Sequence, residues 1–295
     1  IPMDCKTYTK KSFPKWIRFR VPDTNGIKQV SSLLEELGIS TVCKSALCPN
    51  RAECWSRKTA TFLLLGDICS RRCSFCAVKK GQPLSPDPFE KDKILKAVEV
   101  MGLQYIILTM VTRDDLLDGG ANHIFEIVSS LKKVFPKRKV EVLVSDFQGN
   151  MSSLETILKA NPDVFSHNLE TVERLHPIVR DKKCSYQVSL SVLNKVKEIS
   201  RVTKTKSGIM VGLSETQDEV LQTLKDLDSV GCSIVTIGQY LQPTPRQLPV
   251  SNFISPDEFR FYEEWAGKNL SLKVIAGPEV RSSYHADFWC KEQEE

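Results

Sequence analysis

Histidine is scarce in this chain, with four in 295 residues. No run of 18 apolar residues occurs, so no membrane-crossing helix is expected. The first 20 residues carry Lys6, Lys10, Lys11, Lys15, Arg18 and Arg20 without the apolar stretch of a secretory leader, so export is not expected. No nucleic-acid-binding motif accompanies the basic charge, and no nucleic-acid partner is expected. Internal repeats and low-complexity stretches are also missing. With 41% hydrophobic and 26% charged residues, the chain reads as an ordinary globular protein of one large α/β domain or two small ones. The shortage of histidine bears on metal chemistry. Closed zinc sites take four Cys or His ligands, usually as two CxxC pairs. Here the histidine nearest the cysteine-rich stretch is His123, 47 residues past Cys76.

Cysteine, by contrast, is plentiful: ten residues, six of them inside a 34-residue stretch. Cys43, Cys48 and Cys54 follow C-x4-C-x5-C, and Cys69, Cys73 and Cys76 follow C-x3-C-x2-C. Each group offers three thiolates. Three thiolates around a cubane iron–sulfur cluster leave one iron open for chemistry, and thiolate-rich sites without histidine suit such clusters or zinc. Tight spacing without a leader argues against disulfides and for a reducing compartment. The cytoplasm is expected, or an organelle matrix if a transit peptide once preceded Ile1. Cys5, Cys184, Cys232 and Cys290 read as isolated thiols. The net charge of +5 is uneven: residues 1–80 hold 15 Lys/Arg against 6 Asp/Glu, the remainder 26 against 30. That places a basic surface near the N-terminus, either attractive to an acidic partner or merely solvated.

From residue 60 onward, short apolar runs at 61–65, 105–109, 140–144, 164–167, 208–211 and 234–238 alternate with helical patterns near 90–101, 120–135, 152–160, 186–200, 215–230 and 256–269. Such alternation predicts βαβ units and a parallel sheet. Six units make an open, partial (β/α)6 barrel, with a further short run at 273–276. The expected division is an N-terminal extension over 1–60 carrying the first cysteine group and a helix near 26–37, the barrel over 61–276, and a C-terminal return segment over 277–295.

The second cysteine group directly follows the first strand, where barrel loops form the active face. With Phe75 ahead of its last cysteine, this run resembles the radical S-adenosylmethionine (radical SAM) superfamily. Other segments narrow the resemblance: Cys43-Lys-Ser-Ala-Leu-Cys48-Pro-Asn-Arg-Ala-Glu-Cys54-Trp, Arg113-Asp-Asp-Leu-Leu-Asp-Gly-Gly120, Phe165-Ser-His-Asn-Leu-Glu-Thr171, Thr205-Lys-Ser-Gly-Ile-Met-Val-Gly-Leu213, Gly238-Gln-Tyr-Leu-Gln-Pro243 and Arg281-Ser-Ser-Tyr-His285. Together, over residues 14–286, they are similar to the lipoyl synthase family.

The resemblance implies insertion of two sulfur atoms at C6 and C8 of an octanoyl chain held on a carrier-protein lysine, with two [4Fe–4S] clusters and SAM as co-substrate. These C–H bonds are unactivated, so a primary carbon radical is needed, and the auxiliary cluster is the sulfur source. It further implies that Cys69, Cys73 and Cys76 hold the SAM cluster, with Phe75 shielding one edge, and that Cys43, Cys48 and Cys54 hold the auxiliary cluster. Ser283 is its implied fourth ligand; from the residues alone, Ser282 and Ser283 read as turn residues. SAM contacts are expected from the loop after the second strand that holds Asp114, Asp115, Asp118, Gly119 and Gly120, above all Asp115, Gly119 and Gly120, although the loop also reads as a polar one with a cap ahead of the next helix. Asn168 and Glu170 are expected to meet the ribose or methionine moiety, and Lys206 and Arg281 the SAM carboxylate or the substrate. Implied partners are octanoylated lipoyl domains or the glycine-cleavage carrier protein, an electron donor such as ferredoxin or flavodoxin, and an iron–sulfur cluster carrier. Two rival classes are a methylthiotransferase, which would bring a nucleic-acid-binding domain, and a non-catalytic iron–sulfur or zinc scaffold.

Overall fold

The computed structural model describes residues 13–17, 24–284 and 286. Among the described residues, nine strands form two sheets. The strands are β1 (Thr61–Leu64), β2 (Ile68–Cys69), β3 (Lys79–Lys80), β4 (Tyr105–Met110), β5 (Lys139–Leu143), β6 (Val164–Ser166), β7 (Lys204–Val211), β8 (Ile234–Gln239) and β9 (Lys273–Gly277). The main sheet runs β1-β4-β5-β6-β7-β8-β9, every neighbouring pair parallel, and β2 pairs with β3 separately. Each strand step carries one long helix: Glu90–Met101, Ala121–Val134, Met151–Leu158, Tyr186–Ile199, Gln217–Ser229 and Pro256–Asn269. Six βα units are therefore present as expected, and the seventh apolar run joins the sheet as β9.

The strand order never reverses, so every crossover moves the chain one place in the same direction. That singly wound path curls the sheet into a partial barrel. Side chains alternate across it. Along β4, Ile106 and Leu108 are fully buried among helix side chains such as Ile124 and Val128, while Tyr105, Ile107 and Thr109 line an interior cavity. Each fully buried aliphatic side chain contributes about 1.5–3 kcal/mol, and two continuous clusters of them, one mainly over β1–β6 and one over β7–β9, hold the helices on. Local signals set the helix ends. Thr216 and Glu219 form a reciprocal capping box, Ser255 caps a helix whose first residue is Pro256, and Gly102 closes Glu90–Met101 in the left-handed conformation.

β7 begins four residues before the apolar run that predicts it. Thr205, Lys206 and Ser207 look polar in sequence but are buried, because they meet polar partners around the barrel interior rather than water. The N-terminal helix spans Thr24–Glu36, close to its expected place.

The seam between the outer strands β1 and β9 is bridged by the two ends of the chain. Thr41 forms an antiparallel bridge with Phe62, and the Leu63 amide donates to the Ser40 carbonyl at 2.9 Å, covering the β1 edge. Beyond β9, the Glu279 carbonyl accepts from Asn50 Nδ2 at 2.6 Å, and Tyr284 OH donates to Glu53 at 3.0 Å. The segment carrying the first cysteine group and the tail after β9 thus meet across the gap that an open sheet leaves.

Candidate functional site

All six grouped cysteines line one cavity of about 880 Å³ inside the barrel. Cys69 ends β2, whose pairing with β3 ties the base of the C-x3-C-x2-C loop together. The loop is anchored outward as well. Ser70 N and Oγ both donate to the Thr112 carbonyl, at 3.0 and 2.9 Å, and the Ser74 amide donates to the Val179 carbonyl at 2.9 Å. Inside the loop, Arg71 is only 3% exposed. Its guanidinium meets Asp114 at 2.9 Å and Asp146 at 2.6 Å, carboxylates that follow β4 and β5. Burial pushes Asp146 upward, but the Arg71 fork outweighs it and holds the carboxyl below its usual range. Sequence reasoning passed over Arg71, because an arginine between two cysteines looks like a solvated charge until distant carboxylates are placed beside it.

Cys184, expected to be an isolated thiol, lies in the same neighbourhood. The turn after Val179 brings its sulfur to 3.2 Å from Arg71 Nη1 and 3.5 Å from Arg180 Nη2. Hydrogen bonding from Cys73, with Arg180 and Arg71 alongside, outweighs burial and pulls the Cys184 thiol down to about 5. Cys73 is pushed up by the same contact and by burial. Cys232 matches the bland expectation: it is buried, and its thiol is pushed up to about 12 by burial. Cys5 and Cys290 lie outside the described residues.

The first group comes from the two short helical turns Val42–Ser45 and Arg51–Ser56 and the bend between them. Burial raises Cys43 and, with Cys43 and Cys48 as neighbours, pushes Cys54 up to about 12. Cys48 contributes to the upward shift of both Cys43 and Cys54, so the three thiols stand close together, and a bound cation would relieve their charge. Trp55 is buried beside them. Among the described residues, no disulfide joins any cysteine, and no three His, Cys, Asp or Glu side chains converge on a single point. Each thiol triplet instead faces the shared cavity. A cofactor with several metal centres fits that arrangement and the donor chemistry.

The tail after β9 opens onto the same cavity as the first group. Arg281, Ser283 and Tyr284 line the cavity. Burial pulls the Arg281 guanidinium down, opposed by Cys48 and then Glu279, while Tyr284 is pushed up chiefly by burial and by Glu53, with Cys54 also nearby. Ser283 lines the same cavity as Cys43, Cys48 and Cys54.

Of the remaining expected contacts, Phe75, Asn168 and Glu170 line the cavity. Glu170 adopts φ 71°, a left-handed conformation that turns the chain back after β6, and burial pushes its carboxyl up against the lowering effect of Arg180. Asn168 Nδ2 donates to Glu170 at 3.2 Å and to Ser282 Oγ at 2.8 Å. Two cavity residues were not expected. His167 donates from Nδ1 to the Val144 carbonyl at 2.9 Å and is pulled down to about 4, mainly by burial. Its Nε2, like Arg180 Nε, is buried without a hydrogen-bond partner. A neutral imidazole held this way keeps an unused acceptor, and Arg180 an unused donor, on residues that line the cavity.

Four expected contacts stand elsewhere. Asp115 is held by Arg113 at 2.7 Å, and Arg113 in turn donates to the Leu65 carbonyl at 3.1 Å. Gly119 and Gly120 pack against the core: a Cβ would lie 2.6 Å from the Phe147 ring in one case and 2.4 Å from Leu65 in the other. Asp118 caps the following helix through the Gly120 and Asn122 amides, which is the alternative reading of that loop. Lys206 is 2% exposed, and its ammonium contacts Glu141 and the Ser282 carbonyl. None of these four lines the cavity.

The profile of the Radical SAM superfamily matches residues 63–227. The chain is 49% identical to the lipoyl synthase of Caldicellulosiruptor saccharolyticus over 279 residues, 95% of this chain and 97% of that one. It is also 49% identical to the lipoyl synthase of Chlamydia caviae over 276 residues, 93% and 88% of the two chains. Among solved structures, methylornithine synthase (PylB) superposes with a TM-score of 0.56 at 14% identity, covering 88% of this chain and 84% of that one. The hydrogenase maturase HydG of Carboxydothermus hydrogenoformans gives 0.56 at 13% identity, covering 92% and 79%. The structural likenesses establish the fold. With the near half identity along almost the whole chain, two triplets of thiols in one barrel cavity and a serine tail brought to the first of them, the chain belongs to the lipoyl synthase family of the radical SAM superfamily.

Proposed function

We propose that this protein inserts sulfur at C6 and C8 of an octanoyl group amide-linked to a lysine of a lipoyl-bearing domain. The observation that carries the reading is the confluence of both cysteine triplets and the Arg281–Tyr284 tail on a single barrel cavity. Its cofactors are SAM and [4Fe–4S] clusters, which when bound supply the electron, the carbon radical and the sulfur that the reaction requires. The chain's own task is holding, orienting and excluding water.

Cys69, Cys73 and Cys76 hold the cluster that binds SAM, and the Arg71–Asp114–Asp146 cluster keeps their loop rigid. Cys43, Cys48, Cys54 and Ser283 hold the auxiliary cluster. A serine oxygen is a harder ligand than thiolate and leaves soft iron–sulfur chemistry more readily, which suits a cluster that must open. Asn168, Glu170, Arg180 and the His167 Nε2 acceptor supply polar contacts to SAM, and Arg281 meets SAM or substrate. Phe75 and the apolar wall of Leu63, Ile107 and Met210 keep the radical path dry. In this reading residues 1–60 are a cluster-binding extension, 61–276 the barrel and 277–295 a closing segment. The carrier is a lipoyl domain or the glycine-cleavage carrier protein. Ferredoxin or flavodoxin serves as electron donor and a cluster carrier rebuilds the auxiliary site, in the cytoplasm or an organelle matrix.

Anaerobic incubation with SAM, a reductant and an octanoyl-lysine peptide, read by mass, tests the function. Gain of two sulfurs with net loss of two hydrogens is the expected product in its disulfide form. SAM cleavage without any sulfur gain would overturn the reading.

A further inference from the structure

The tail that carries Ser283 is held from inside the barrel. Lys206 Nζ lies 3.0 and 3.2 Å from the two Glu141 oxygens and 2.5 Å from the Ser282 carbonyl. Glu141 is itself saturated: Tyr105 OH donates to it at 2.7 Å and Ser166 Oγ at 2.8 Å. The Lys206 and Glu141 side chains are 2% and 1% exposed. Asn168 completes the grip on the Ser282 hydroxyl, at 2.8 Å. The inner faces of β7 and β8 make room for this insertion. A Cβ on Gly208 would lie 2.8 Å from Ser282 Oγ, and one on Gly238 would lie 2.1 Å from the Val280 carbonyl.

A buried lysine needs a compensating charge, and Glu141 provides it. Its remaining hydrogen-bonding capacity is spent on one backbone carbonyl of the tail, adjacent to Ser283. We propose that Lys206 is a positioning residue for the auxiliary site: the Lys206–Glu141 pair latches the Ser282 carbonyl and thereby sets where the Ser283 oxygen stands relative to Cys43, Cys48 and Cys54. This rests on the assignment of Ser283 as a ligand. It gives Lys206 a duty toward the tail rather than toward SAM. Serine is a weak iron ligand, so its residence depends on how firmly its backbone is held, and a latch on the neighbouring carbonyl supplies that hold without adding a fourth thiolate.

Removing Lys206 alone strands a buried carboxylate, so the test uses the paired variant Lys206→Met with Glu141→Gln, which leaves no uncompensated charge and keeps an acceptor for Tyr105 and Ser166. In metal-free protein, hydrogen exchange at the 282–284 amides should accelerate by about 10-fold or more, while β4 and β5 keep their protection. In reconstituted protein, sulfur-inserted product should fall about 10–100-fold. The resonance of the auxiliary cluster should shift, and sulfur-inserted product should fall more steeply than 5′-deoxyadenosine formation does. Gly238→Ala, which displaces the tail at Val280 without touching the ion pair, should likewise accelerate exchange at the 282–284 amides and lower the product. Unchanged exchange at 282–284 in the paired variant, or unchanged product from it, overturns the latch. Ser283→Ala run in parallel separates the two ideas: normal product from that variant overturns the ligand assignment, while the exchange measurement still judges the latch.

Discussion

The two cysteine triplets are built in opposite ways. Cys69, Cys73 and Cys76 fall within eight consecutive residues, on a loop that is pinned at its base by β2–β3 pairing and on its flank by Arg71. Cys43 and Cys54 lie on two short helical turns and Cys48 on the bend between them, and this segment is joined to a tail more than 220 residues away through Asn50–Glu279 and Glu53–Tyr284. A local loop positions its ligands through short-range geometry. An assembled site depends on chain closure across the barrel seam. On the proposed assignment the difference suits two duties: one cluster would persist through every turnover, and the other would open.

The sharpest way to break this comparison is to delete the local site. Replacing Cys69, Cys73 and Cys76 together with alanine should abolish 5′-deoxyadenosine formation and leave about half of the bound iron, because the ligands of the other cluster lie elsewhere in the chain. Residual SAM cleavage would mean that the loop is not the SAM site. Ser283→Ala attacks the assembled site instead. It should retain SAM cleavage while product falls by roughly 10–100-fold, as loss of a metal-site oxygen contact does.

The Arg71 cluster sharpens the contrast in stability. Arg71→Met leaves Asp146 buried without its cation and Asp114 with only the half-exposed Lys183 at 3.4 Å, at a cost of about 3–5 kcal/mol in denaturant unfolding of the metal-free chain. Arg71→Lys keeps the charge but not the two-pronged geometry, so its cost should be smaller. The same cluster predicts an acid limb. The folded Asp146 carboxyl is held below its unfolded value, so its contribution is fully present above the unfolded carboxylate pKa and is lost as pH falls through the folded one. Asp146→Asn should flatten that part of the stability–pH curve; an unchanged acid limb would show that Arg71 does not stabilise this carboxylate.

The smallest effect concerns docking. The 15 Lys/Arg against 6 Asp/Glu of residues 1–80 should attract an acidic carrier domain over a screening length of roughly 8–10 Å at physiological salt. Turnover with a whole lipoyl domain should then drop with ionic strength by a few-fold more than turnover with a short octanoyl peptide. Identical salt curves would remove the basic surface from the docking step.

Much of the architecture is legible in the sequence, because six alternations of short apolar runs with helical apolar spacing each need only short-range information. The helices at Glu90–Met101 and Pro256–Asn269 and the strands at Tyr105–Met110 and Ile234–Gln239 fall where patterning puts them, and the cysteine spacings mark both triplets by themselves. What patterning misread were polar residues that fold inward. The Lys204–Ser207 half of β7 looks like a loop because its partners, Glu141, Gly231 and Ser233, are distant in sequence. Arg71 looks solvated for the same reason. Asp115, Gly119 and Gly120 sit on the expected loop, yet Arg113, Phe147 and Leu65 occupy them before any ligand does. Hydrophobic period and ligand spacing are properties of a segment, so the sequence by itself determined the barrel class and the two sets of thiols. Which buried charge pairs with which, and where the serine tail comes to rest, depends on contacts between segments 40 to 240 residues apart, and only the closed tertiary structure decided them.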